Sequence, residues 1–210
     1  RLGPSRSISV PGFDPATGRL PTRLGGVRVL FNSVPAAMFF VQGNQLNLQA
    51  PTEVSLFRNV NIVVEVDGIP SPPLSLPAIN SDPGIFVSGA GGQAIVLNQD
   101  QTPNSSGNPS AREEVITIFA TGAGSLDHPL ATGEPAGVDP LSRVASVQGF
   151  IDGVEAPAEN VLFAGMTPGL VGLLQVNVRI PPGASTGGAV SLVIAIRGNP
   201  SQDGATIAIQ

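Results

Sequence analysis

Apolar residues fall in short runs along this chain, alternating or continuous over about five residues and separated by turn residues, which is the pattern of half-buried strands. Val27-Arg28-Val29-Leu30-Phe31 is the first clear run. Further predicted strands are Gln45–Gln49, Asn61–Val66, Gln93–Leu97, Val115–Ala120, Leu174–Ile180, Val190–Ile196 and Ala205–Ile209.

Several of these runs belong to an internal repeat. Gln45-Leu46-Asn47-Leu48-Gln49-Ala50-Pro51 matches Gln175-Val176-Asn177-Val178-Arg179-Ile180-Pro181 at an offset of 130 (175 minus 45). The same offset carries Val66-Asp67-Gly68-Ile69-Pro70-Ser71 onto Ile196-Arg197-Gly198-Asn199-Pro200-Ser201. Upstream, Phe31-Asn32-Ser33-Val34-Pro35-Ala36 matches Ile151-Asp152-Gly153-Val154-Glu155-Ala156 at an offset of 120 (151 minus 31), so the second copy holds ten extra residues (130 minus 120). Those are expected around Ala164-Gly165-Met166-Thr167-Pro168-Gly169, whose composition reads as a loop. Asn32-Ser33, Asp152-Gly153 and Asp67-Gly68 stand where tight hairpins need residues that tolerate positive φ, and Pro51 and Pro181 close strands. Each copy therefore predicts antiparallel sheets packed face to face. The chain divides into one domain over residues 1–88 and another over 89–210.

Composition narrows the chemistry. Hydrophobic residues are 41% and charged residues 12%, with 26 Gly and 21 Pro, enough aliphatic side chains for a core and too many breakers for long helices. All ten basic residues are Arg, and there is no Lys, Cys, Trp or Tyr, which removes disulfides, thiolate nucleophiles, Cys-ligated zinc and Lys–Asn isopeptide cross-links. A net charge of −5 with scattered Arg argues against a nucleic-acid partner. No apolar run reaches the roughly 18 residues that span a bilayer, and Arg1-Leu2-Gly3-Pro4 does not read as the start of a signal peptide.

Six stretches, in this order, resemble the uncharacterised C-terminal domain family repeated in secreted proteins of Solibacter and related Acidobacteria. They are Leu20–Val29, Asn44–Pro51, Asp82-Pro83-Gly84-Ile85-Phe86, Ala94–Asp100, Val115–Gly124 and Val176–Pro181. The resemblance covers nearly the whole chain. It implies an extracellular accessory module and brings no catalytic residues with it. Each half is also similar, at the level of fold, to the immunoglobulin-like domains shared by plexins and transcription factors. The expected fold is all-β, two tandem immunoglobulin-like β-sandwich domains.

The two copies differ at their start. In the second, Val115–Ala120 predicts a strand leading into Gly122-Ala123-Gly124. The first begins at Leu2-Gly3, the counterpart of Ala123-Gly124, and lacks that opening strand. An unpaired sheet edge and an uncovered strip of core follow, expected beside Val27–Phe31.

Polar clusters are weak by comparison. His128, the only histidine, follows Asp127 and lies near Ser125, but the segment is a Pro/Gly-rich loop without a nucleophile-elbow pattern. Asp100, Glu113, Glu114, Asp127, Glu134 and Asp139 come from loops of the second copy or just before it and could converge on calcium, yet no calcium-loop pattern is present and a solvated face is the simpler reading. Asn104-Ser105-Ser106 fits a glycosylation acceptor. Gly89-Ala90-Gly91-Gly92 lacks the Lys of a phosphate loop and reads as a linker or turn between the copies. Phe39, Phe40, Phe119 and Phe163 are expected in the core rather than on a sugar-binding platform.

These readings assign no catalytic, cofactor-binding or metal-binding residue. They point to a non-enzymatic extracellular or cell-surface structural and assembly module. With the gap filled by a neighbouring subunit, chains would polymerise head to tail by donor-strand complementation. Gln93–Leu97 is the favoured donor, ahead of Ala205–Gln210 and Leu2–Val10. A strand of the same polypeptide outside these residues fills the gap equally well. The rival expectation is an adhesion module that binds polysaccharide or a protein through second-copy loops.

Overall fold

A computed structural model describes residues 1–54, 59–89 and 91–210; among them there are strands and two single 3-10 turns, Thr52–Val54 and Ala158–Asn160, and no α-helix. The chain forms two units. Unit 1 comprises Arg1–Asn80, Pro129–Val138 and Pro168–Gly172, and unit 2 comprises Ser81–His128, Asp139–Thr167 and Leu173–Gln210.

Unit 1 holds β1 (Ile8–Ser9), β2 (Val27–Phe31), β3 (Val34–Pro35), β4 (Ala37–Gln42), β5 (Gln45–Gln49), β6 (Asn59–Val66), β7 (Ile69–Pro70) and β8 (Leu74–Pro77). One sheet has the order β1-β4-β5, and the other β3-β2-β6-β7, with β8 also on β6. Alternation decides what is buried: Val27 and Val29 of β2 point into a core with Leu24, Ala36, Met38 and Val41. Between them Arg28 points the other way and donates to Glu65 directly across the pair, at 2.6 Å.

Unit 2 holds β9 (Gly84–Ile85), β10 (Val87–Ser88), β11 (Gln93–Ala94), β12 (Val96–Leu97), β13 (Val115–Thr121), β14 (Val147–Ile151), β15 (Val154–Glu155), β16 (Val161–Met166), β17 (Leu174–Arg179), β18 (Gly187–Ile196), β19 (Asn199–Pro200) and β20 (Thr206–Ile209). One sheet runs β12-β13-β17-β16, with β9 also on β13. The other runs β10-β11-β20-β18-β14-β15, with β19 on β18. Paired sheets of this kind, with fully buried Ile116, Ile118, Val176, Val178, Leu192 and Ile194, are consistent with a β-sandwich.

The repeated sequence blocks make the same hydrogen bonds in both units. Ser71 Oγ accepts from the Val64 amide and Ser201 Oγ from the Ile194 amide. Gln45 Nε2 donates to Asn47 Oδ1 and Gln175 Nε2 to Asn177 Oδ1. The Ala36 amide reaches Val29 O, as the Ala156 amide reaches Gly149 O. The turns agree as well: Asn32 and Asp152 adopt φ of 48° and 58°, a left-handed conformation that short polar side chains tolerate.

Two boundaries differ from the expectation. Residues 81–88 group with unit 2, where β9 and β12 pair with β13 and β11 pairs with β20, and Pro129–Val138 and Pro168–Gly172, from the expected second domain, group with unit 1. Gly89–Gly92 is accordingly the turn between β10 and β11, with Ala90 outside the described residues, and not a linker. The extra residues of the second copy also fall differently. Ala164-Gly165-Met166 belongs to β16, and the loop starts at Thr167. Gly165 reads as a loop residue because it is glycine, but a Cβ there would lie 2.6 Å from Ser142 O, so it serves a close backbone crossing within a strand.

Candidate functional site

β5 and β17 carry the repeated block in the same position, and their neighbours differ. β17 lies between β16 and β13, whereas β5 pairs with β4 on one side and with no described strand on the other. The open edge is therefore at β5 and not beside Val27–Phe31, where β3 and β6 flank β2. The expected place was wrong because β14, the counterpart of β2, is flanked by its own hairpin β15 and by β18; the strand special to the second copy, β13, belongs to the other sheet.

A second edge in unit 1 is bare for a related reason. β20 lies between β18 and β11, and the Gln210 amide donates to Ser110 O, whereas β8 pairs with β6 alone among the described strands. Side chains record both losses. Leu192, Ile194 and Ile196 of β18 are 0% exposed, and their counterparts Ile62, Val64 and Val66 are half-buried. Leu46 and Leu48 are half-buried where Val176 and Val178 are closed off. By register Leu74 and Leu76 of β8 stand where Ala205 and Ile207 stand in unit 2, and they are 58% and 44% exposed against 1% and 0%.

A cleft of ≈ 360 Å³ lies beside β6 and β7, lined by Leu2, Val64, Val66, Ile69 and Pro70 among others and by no residue of β5 or β8. Leu2 is held there by its amide, which donates to Gly43 O at 2.9 Å, one turn residue away from the start of β5. Apolar side chains beside unpaired strand amides and carbonyls can take up one more strand, through main-chain hydrogen bonds and alternate side-chain contacts.

The same region of unit 2 is closed by polar hooks. Gln202 Oε1 accepts from the Ile85 amide and its Nε2 donates to Ile85 O, and Asn199 Nδ2 donates to Ser81 O. At the 130-residue offset unit 1 has Pro72 and Ile69 instead. Pairing at β20 is secured by buried Asn104, which donates to Ala208 O and Asn98 Oδ1 and accepts from the Ala208 amide. The sequence alone marked Asn104 only as a glycosylation acceptor; its amide is buried and fully engaged.

The candidate polar residues do not assemble into a site. His128 is exposed, with Nδ1 3.1 Å from Leu141 O, and no hydrogen bond links it to the Ser125 hydroxyl. Asp127 accepts from the amides of Arg143 and His128, both at 2.7 Å. Above all the Arg143 amide, opposed by desolvation and aided by His128, holds the Asp127 carboxyl below its ordinary range. Asp100 is lowered in the same way by the Thr102 hydroxyl and amide. Glu114 accepts from the Ala111 amide and Glu134 from the Ala131 amide. Asp139 is exposed, Glu113 engages through its backbone, and Glu134 belongs to unit 1. Asp100, Glu114 and Glu134 close their own turns, and no cluster able to hold a metal ion occurs among the described residues.

The phenylalanines differ from the expected core placement. Phe39, Phe40, Phe119 and Phe163 are all half-buried, and the Arg143 guanidinium lies 5.1 Å from the Phe163 ring centre. The expected donors are also occupied: β11 and β12 pair within unit 2, β20 pairs with β18 and β11, and β1 pairs with β4. No helix is long and apolar enough to cross a membrane among the described residues. Comparison with protein-family models, with curated proteins and with solved structures finds no match.

Proposed function

We propose that the chain is an extracellular, non-catalytic structural module of two tandem immunoglobulin-like sandwiches, the first of which accepts a β-strand. The strand order of unit 2 supports the fold: β12-β13-β17-β16 and β20-β18-β14 correspond to the A-B-E-D and G-F-C sheets of that class. In the same lettering unit 1 has C, D, E, F and G as β2, β4, β5, β6 and β8, and no described strand stands in the A or B position. The resemblance to secreted Acidobacterial modules supports the location. The single observation that carries the reading is the bare edge of β5 above half-buried Leu46 and Leu48.

The source of the strand sets the assembly. A strand from a second copy joins chains head to tail into a fibre, and a strand from the same polypeptide closes the module on itself. Hydrogen exchange at Gln45–Gln49, with negative-stain microscopy at high concentration, tests both parts. Fast exchange at the edge amides of β5 in a discrete monomer is expected for an empty acceptor, and discrete monomers at high concentration remove the fibre. Slow exchange at these amides in a monomer without an added strand overturns the acceptor reading itself. The polysaccharide-binding alternative rests on loop carboxylates of which Asp100, Asp127, Glu114 and Glu134 already accept backbone amides, so the open edge is the stronger basis.

A further inference from the structure

We infer that β5 of unit 1 pairs with β5 of a second copy of this chain, antiparallel across a twofold axis at Asn47, and so makes a closed dimer. The inference rests on the open-edge reading and adds the occupant, its direction and its register. β5 reads Gln45-Leu46-Asn47-Leu48-Gln49, the same in both directions. Antiparallel pairing centred on Asn47 therefore sets Leu46 against the partner's Leu48, Gln45 against the partner's Gln49, and Asn47 against its own counterpart. β17, enclosed by β16 and β13, has Arg179 where β5 has Gln49, and the symmetry is lost. Self-complementarity is confined to the copy whose edge is open.

Backbone alternation suits this register. The Val10 amide donates to Phe39 O on the β1 side of β4, which leaves Phe40 and Gln42 to bond Asn47 and Gln45. Leu46 and Leu48 therefore turn their amides and carbonyls to the open edge, and each Leu46–Leu48 pair across the axis exchanges both N–H···O bonds. Their half-buried side chains, packed on the unit 1 core, gain cover from each other. On the opposite face Asn47 is exposed, with Oδ1 accepting from Gln45 Nε2 and Nδ2 free of hydrogen bonds among the described residues. The axis brings the two Asn47 side chains together at a close, non-hydrogen-bonded position of the ladder. Charge does not oppose the contact, since β5 carries none. Other strands of unit 1 are defended against pairing: β3 and β7 are two residues long and end in Pro35 and Pro70, and β8 follows Pro72-Pro73 and ends in Pro77. An edge of five residues, about 17 Å long, buries less than the roughly 1,200 Å² of a stable complex, which sets the dimer at a Kd of about 100 µM.

The test follows the 210-residue chain by sedimentation velocity and by hydrogen exchange at Leu46 and Leu48, at about 10 µM and about 1 mM. Monomers with fast exchange are expected at the lower concentration, and dimers with exchange slowed about fivefold at the higher. Asn47→Asp keeps an acceptor for Gln45 within each copy but sets two carboxylates face to face on the axis, and Asn47→Arg opposes two guanidinium groups there. Each variant alone is expected to weaken dimerisation about tenfold, and an equimolar mixture of the two to restore it. Dimers that Asn47→Asp leaves intact, a mixture that restores nothing, or assemblies that grow beyond two copies overturn the twofold pairing. Monomers with fast exchange at both concentrations overturn it too, and leave the open edge standing. Slow exchange in monomers at both concentrations overturns the open edge and the pairing together.

Discussion

β5 reads Gln-Leu-Asn-Leu-Gln and β17 holds Gln-Val-Asn-Val-Arg; each pairs with the preceding strand on one side and makes the same side-chain bond between its Gln and Asn. One presents an open edge and the other lies inside a sheet. The difference teaches that burial in these sheets is decided by the neighbour and not by the strand's own pattern, since alternation is equally regular in both.

The comparison breaks most visibly with paired truncations. Leu192→Ala, at a fully buried position, is expected to cost about 3 kcal/mol, and Ile62→Ala, at its half-buried counterpart, about 1 kcal/mol, measured by denaturant unfolding followed at each unit. Equal costs would mean that the groove of unit 1 is already closed. Gly122→Ala should make unit 2 resemble unit 1, because φ is +75° and a Cβ would lie 1.7 Å from Asp82 O. The expected cost is about 2–3 kcal/mol, with amides of β9 exchanging first. Asn104→Ala should cost about 2 kcal/mol by leaving the Ala208 amide and carbonyl unpaired, and should free the β20 edge as β8 is free.

The smallest effect is acid-dependent. Partial burial opposes ionisation of Glu53, but hydrogen bonds from the Thr132 hydroxyl and amide, its own backbone and Thr52 outweigh it and hold the carboxyl below its ordinary 4.5. A depressed carboxyl contributes stability that is complete above the unfolded value and lost as pH falls through the folded one. Protection of the Thr132 amide, taken relative to the intrinsic exchange rate at each pH, should therefore be steady near neutrality and fall only below that window, and Glu53→Gln should flatten the profile.

Legibility followed the range of the forces involved. Alternation marked β2, β5, β6, β13, β17 and β18 because one face of each meets a core, and the repeat offsets matched β5 to β17 and β6 to β18. Which edge would be bare was not legible, since it depends on which sheet β13 joins, a long-range pairing without local signature. Asn104 and Gln202 were missed for the same reason: each completes backbone groups about 100 residues away, at Ala208 and Ile85. The nearest signal was the contrast of Gln202 with Pro72 at repeat-equivalent positions.

Val171 lies in the loop that the second copy carries in excess, yet it packs in a small core with Leu20 and Ala37, both from unit 1. The boundary of duplication is therefore not a boundary of folding. A chain cut after Asn80 would leave behind the Val171 segment together with Pro129–Val138, whose Thr132 and Gly133 bond Glu53 and Gln49. In inheritance terms, the first repeat has handed part of its interior to the second, and neither deletion nor shuffling of one repeat would return a self-sufficient first module.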